Sequence, residues 1–234
     1  MAGDSVEVVY SEERWRLLRE KRRKAIEVME TLSSTVPLGL MVVHGSVARG
    51  DVDEDSDVDI AILEPLPPTL VEFALARAGL RPVAKLIVQA TPSNTPKAYL
   101  ILDYREERVV SLPLAPLRPR EREFYKWGGE VNYEELKRGV RVPGVDKHLH
   151  LIKPTTRGHL EMPVRGNEGL VARVLGISLE TVAERVRVLT RRREHGHTGV
   201  FLKEEVPPET PIEEAVKDLS KENPVFRRAL RGWI

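Results

Sequence analysis

HGSVARGDVDEDSDVDIAIL, residues 44–63, decides the fold. An apolar run, Leu38 to Val43, leads into Gly45-Ser46, and a second run, Ile60 to Leu63, follows Asp57 and Asp59. Each run reads as a buried strand, and Gly45-Ser46 as a tight turn at the end of the first. Side chains alternate along a strand, so Asp57 and Asp59 point the same way, with Val58 behind them. Two carboxylates on one face repel unless a cation lies between them. A hard divalent ion is the natural occupant, because Mg²⁺ takes one or two carboxylates plus substrate phosphates. Glycine lets the backbone approach a phosphate closely, and N–H groups with the Ser46 hydroxyl can hold it. Asp51, Asp53, Glu54 and Asp55 read as a solvated loop.

Gly45-Ser46, a ten-residue spacer and Asp57-x-Asp59 resemble the signature of the DNA polymerase β-like nucleotidyltransferase superfamily. Ala48-Arg49-Gly50 and Ser56 are similar to its minimal nucleotidyltransferase branch. The resemblance implies transfer of a nucleoside monophosphate from a nucleoside triphosphate to a hydroxyl, with Mg²⁺ or Mn²⁺ as cofactor. It implies metal ligation by Asp57 and Asp59, and seating of the phosphates on Gly45 and Ser46. Arg49 either reaches a phosphate or pairs with a nearby acid. His44 reads as packed or hydrogen-bonded rather than catalytic. The resemblance also implies a third acid on a later strand, of pattern apolar-Asp-apolar, which helps deprotonate the attacking hydroxyl. Val110-Ser111-Leu112 is the topological match, with serine in the acid's place. Asp103, in Leu100–Tyr104, is the candidate catalytic acid if the alignment shifts by one hairpin arm, or else it opens a turn.

The 234 residues carry 37 Lys and Arg against 36 Asp and Glu, so net charge excludes no partner. Its distribution says more. Residues 51–64 hold seven acids and no base, whereas 157–203 hold nine bases against five acids. No cysteine is present, which excludes disulfides and thiolate chemistry. No apolar run is long enough to cross a membrane and no signal peptide is visible, so a cytoplasmic protein without membrane contact is expected.

Helical spacing predicts a helix over 11–33, whose basic face reads as solvated, and another over 69–78. Strands are expected at 85–89, 99–104 and 108–114. In the second half, 148–153 and 159–163 read as a hairpin. Asn167 and Ser178 cap helices at 167–175 and about 179–194. A turn at 195–199 then leads to a short strand, Val200-Phe201-Leu202. This order resembles a winged helix–turn–helix, with Arg185, Arg187, Arg191, Arg192 and Arg193 on exposed positions facing nucleic acid phosphates. A final helix spans 211–230, and Trp233 packs.

An α+β fold follows, with a nucleotidyltransferase domain over 1–120 and a linking segment over 121–145. A winged-helix-like domain with a terminal helix is expected over 146–234. The leading function is metal-dependent nucleotidyl transfer to a nucleic acid or protein hydroxyl. The alternatives are a nucleotide-sensing, DNA-binding regulator with an inactive fold, or one half of a toxin–antitoxin pair.

Overall fold

A computed structural model describes residues 5–196 and 199–233. His197 and Thr198, in the expected turn at 195–199, lie outside the described residues. The fold is mixed α and β, built on two sheets.

Among the described residues the larger sheet has seven strands. In chain order these are β2 (Met41–His44), β3 (Val58–Ile62), β4 (Ala84–Gln89), β5 (Lys97–Ile101), β6 (Arg108–Pro113), β7 (Glu130–Asn132) and β11 (Leu202–Val206). They lie side by side as β11-β4-β5-β6-β3-β2-β7. Only β3 and β6 run parallel; the other neighbours are antiparallel. The smaller sheet, in spatial order, is β1 (Val6–Val9), β10 (Gly158–Pro163), β9 (His150–Pro154) and β8 (Gly144–Val145).

One face of the larger sheet buries Val43, Val58, Ile60, Val110, Leu100 and Ile87. Helix α1 (Glu12–Leu32) covers it with Leu18, Ala25, Val28, Met29 and Leu32, at the spacing that gives a helix one apolar stripe. Ser11 caps that helix by accepting the Arg14 N–H. Its basic face departs from the solvated reading at two positions. Lys21 and Arg22 are buried, Lys21 on Glu107 and Arg22 on the carbonyls of Val47, Ala48 and Val140. Helix α3 (Pro68–Arg77) completes this layer.

The opposite face carries the aspartates and is partly roofed by α4 (Pro119–Gly128). Tyr125 of α4 packs on Val42 and Ala61, while Trp127 of the same helix inserts into the core of the smaller unit. That core lies between the smaller sheet and the helix pair α6 (Glu168–Leu175) and α7 (Leu179–His195). Ser178 caps α7 as expected, accepting from the Thr181 N–H. The short α5 (Tyr133–Lys137) follows β7.

The second half departs from expectation at the strand after α7, at the terminal helix and at Trp233. The strand after α7 forms no wing: β11 pairs with β4 at the edge of the larger sheet, Leu202 opposite Gln89 and Val206 opposite Lys85. The hairpin β9–β10 precedes the helix pair, as expected, and its second strand binds β1, so α6 and α7 pack on a four-stranded sheet. The terminal helix divides at Asn223-Pro224 into α8 (Ile212–Glu222) and α9 (Pro224–Leu230), because proline cannot supply the N–H that a continuous helix needs. Both return to the first core through Ile212, Val216, Phe226 and Leu230. Trp233 does not pack and is 55% exposed. No helix among the described residues is long and apolar enough to cross a membrane.

Candidate active site

The pairing of β2 with β3 builds the site. His44 lies opposite Asp59, which sets the Gly45 turn beside the aspartates at one end of the sheet. Gly45 has φ +79° and ψ −148°, a conformation costly for any residue with a side chain. A Cβ there would meet nothing within 4 Å, so the space above the turn is open. Ser46 begins the one-turn helix α2 (Ser46–Arg49) and is half-exposed.

The turn rests on a second pair of glycines. The Gly45 N–H donates to the Gly129 carbonyl at 3.0 Å, and Gly128 packs on the Gly45 backbone. Arg49 points down into this support rather than out to a ligand. Its Nε and Nη2 hold Asp51 bidentately at 3.0 and 2.9 Å, and Nη1 donates to Gly128 and Val145 carbonyls. Of the two roles open to Arg49, the structure therefore shows pairing with an acid. Asp51 leaves the solvated-loop reading for the same reason. Asp53, Glu54 and Asp55 remain exposed, with Ser56 closing the loop on Asp53.

Asp57 and Asp59 occupy the same face, as their spacing requires. Burial pushes the Asp59 carboxyl up to about 6, and burial together with the Asp59 charge raises Asp57. Both shifts mean that the charged forms lack compensation. Two hard oxygen donors disfavoured as anions, beside an open glycine turn, fit a Mg²⁺ or Mn²⁺ ion that arrives with phosphates. No group of three or more His, Asp or Glu side chains converges among the described residues.

The parallel register of β3 with β6 locates the position facing the acids. Asp59 pairs with Val109 and Ala61 with Ser111. The residue beside Asp59 is thus a half-buried valine. Ser111 lies one pair deeper, buried, with its hydroxyl toward the Ile60 carbonyl. Asp103 is not brought to the pair. It holds the β5–β6 turn, accepting from the Glu107 and Arg108 N–H groups and pairing with the Arg108 side chain at 3.0 Å. Those bonds lower its pKa against the opposing effect of burial. Glu107, immediately before β6, is occupied by Lys21 and Lys24.

His44 packs edge-on against Tyr125 at 5.1 Å and Phe124 at 6.2 Å, and burial lowers its pKa to about 4, so it is neutral at pH 7. Lys97 shares this face; its Nζ donates to the Tyr125 hydroxyl at 2.9 Å. The sequence flags neither Lys97 nor Val109, since both are defined by strand neighbours distant in the chain. Gly128-Gly129 is visible as a glycine pair, but only the fold connects it to Gly45.

The arginines of α7 divide. Arg187, Arg191, Arg192 and Arg193 are exposed as expected. Arg185 is not, because its guanidinium lies 4.9 Å from the centroid of Phe124 in α4. Helical spacing puts it on the open face, but spacing alone cannot show what packs there.

No curated protein and no solved structure matched the chain. The family model described as the nucleotidyltransferase domain matches residues 22–113. That span contains the glycine turn, both aspartates and β6 to its last residue.

Proposed function

We propose that this nucleotidyltransferase domain moves a nucleoside monophosphate from a nucleoside triphosphate to a hydroxyl acceptor, with Mg²⁺ or Mn²⁺ as cofactor. The observation that carries the reading is the β2–β3 register, which sets Gly45-Ser46 and Asp57/Asp59 at one end of adjacent strands. Asp57 and Asp59 would hold the metal, which when bound polarises the reacting phosphate and lowers the pKa of an attacking hydroxyl. The Gly45 turn and the Ser46 hydroxyl orient the triphosphate. Neutral His44 and the aromatic roof exclude water from the deep side of the face. Incubating the full chain with each labelled triphosphate, Mg²⁺ and total cellular RNA and protein, then resolving the products on a gel, tests this. A labelled acceptor band supports it, and no label on any acceptor with any triphosphate overturns it.

A second reading, a nucleotide sensor without turnover, is favoured by one observation: valine, not an acid, faces Asp59 on β6. Val109→Asp supplies that acid. It is expected to raise transfer tenfold or more, within the range for a positioned general base. Asp103→Ala should loosen the hairpin and leave transfer within a few-fold. Initial rates on the gel, with thermal melts of each variant, check both. Loss of transfer specific to Asp103→Ala would restore Asp103 as the acid.

The exposed arginines of α7 suit nucleic acid phosphates as an acceptor or guide surface. Replacing Arg191 and Arg192 together with Ala in the full chain should weaken RNA or DNA binding across sequences. The slope of log affinity against log salt should fall by roughly one unit for each phosphate that is no longer neutralised. Filter binding at several salt concentrations checks it, and an unchanged slope removes these residues from the surface.

A further inference from the structure

We infer that Arg185 of α7 and Lys97 of β5 form a phosphate-binding pair at the edge of the aspartate face, so that the smaller unit contributes to the larger unit's site. Both cations lie on Phe124, with the guanidinium carbon of Arg185 4.9 Å and the Lys97 Nζ 5.7 Å from the ring centroid. The distance between them therefore cannot exceed the sum of these two. Phe124 in turn meets His44, which is the strand partner of Asp59.

Ordinary packing explains the stacking, since a guanidinium on an aromatic ring is favourable by itself. It does not explain the missing counter-charge. Among the described residues neither Arg185 nor Lys97 has a carboxylate within ion-pair distance, although 13 such pairs form elsewhere. Glu184, next to Arg185 in sequence, pairs with Arg120 at 3.3 Å instead. The Arg185 Nε is buried without a hydrogen-bond partner. Such an orphaned donor on a charged group is costly, so internal hydrogen bonding does not account for the guanidinium's position. A guanidinium presents a planar fork suited to phosphate oxygens, and an ammonium adds a point charge beside it. Phosphate is the anion this chemistry selects. It belongs either to the triphosphate tail or to the backbone of a polynucleotide acceptor.

The inference rests on the proposed reaction for its meaning, but its test does not depend on turnover. Binding of tripolyphosphate in EDTA, of nucleoside triphosphates with Mg²⁺, and of a single-stranded RNA lacking terminal phosphates is measured calorimetrically on the full chain. The variants are Arg185→Gln, Arg185→Lys and Lys97→Gln. If the pair holds the triphosphate tail, the two Gln variants lose about tenfold or more in tripolyphosphate and triphosphate affinity, as expected for removal of a charged hydrogen-bond donor. Arg185→Lys then keeps most of it. If the pair holds a polynucleotide, the same variants lose RNA affinity and salt slope while tripolyphosphate binding is unchanged. Gln variants that stay folded by circular dichroism and bind all three probes like the parent overturn the inference. A chain that binds tripolyphosphate through Arg185 yet transfers no nucleotide refutes the proposed reaction and leaves the anion pair standing. Should Arg185→Gln fail to fold, Lys97→Gln carries the same test.

Discussion

Asp59→Asn will melt at a higher temperature than the parent chain in EDTA at pH 7.5, and it will have lost nucleotidyl transfer. The Asp59 carboxyl titrates near 6 in the fold against an ordinary value of 3.8, because burial disfavours its anion. A raised acid binds its proton more tightly when folded. Stability from this group is therefore complete below about pH 4 and falls as the pH rises toward 6. At pH 7.5 the ionised carboxylate costs on the order of 2 kcal/mol, equivalent to several degrees in Tm, and the amide removes that cost. The gain should vanish below pH 4, where both chains are neutral at this position. Transfer should drop by about 10²- to 10⁴-fold if Asp59 holds the metal as proposed, since its charge is then lost from the site. Asp57→Asn should lose transfer similarly, with a smaller gain in stability, because Asp57 is exposed. Melting curves from pH 4 to 8, with and without Mg²⁺ and triphosphate, and initial rates at saturating substrate measure all of this. Asp59→Asn melting lower at pH 7.5 would show that the carboxylate is already compensated by the protein.

Gly144→Ala should damage the site from below. A Cβ at residue 144 would lie 2.5 Å from the Gly129 nitrogen and 2.6 Å from the Gly128 carbonyl group. All of these are backbone atoms, and none can rotate away. Strand β8 or the Gly128-Gly129 segment must then move, and with it the carbonyl that accepts the Gly45 N–H. Forced overpacking of this kind costs about 2 kcal/mol or more. Triphosphate affinity should fall with it, although residue 144 is not among the residues proposed to hold the triphosphate. Gly169→Ala is the control: its Cβ meets nothing within 4 Å in α6, so stability should hold or rise by about 0.5–1 kcal/mol. Urea denaturation and nucleotide titration of both variants decide it. Equal behaviour of the two would show that the glycine pair does not support the turn.

Local pattern makes the β2-turn-β3 unit legible. Both strands are apolar runs, the turn needs a glycine, and a spacing of two puts the acids on one face without knowledge of anything else. The third position is not legible in the same way. Whether Val109 or Ser111 faces Asp59 depends on the register of a parallel pair whose strands are separated by two others, and a shift by one residue would turn every side chain over. Arg49 is ambiguous in sequence because both partners open to it, a phosphate and Asp51, are anions; the supporting glycines that settle its direction lie some 80 residues on. The strand following α7 fails for another reason. Its sequence marks it as β but does not say which sheet edge it joins, and the nearest hairpin is the simpler partner.

Because β11 covers β4, the larger sheet cannot close until residue 206 has been made. From the synthesis of Gln89 until then, the backbone of Ala84–Gln89 presents unpaired N–H and C=O groups along one side, with Leu86 and Val88 on the strand. An open edge of that kind is a template for pairing with another chain. At about 5–20 residues per second, the intervening stretch takes on the order of ten seconds to translate. The interval in which this protein is most prone to misassociation is therefore set by the ribosome, and substitutions that slow decoding between residues 89 and 202 should lower soluble yield without altering the finished protein's stability.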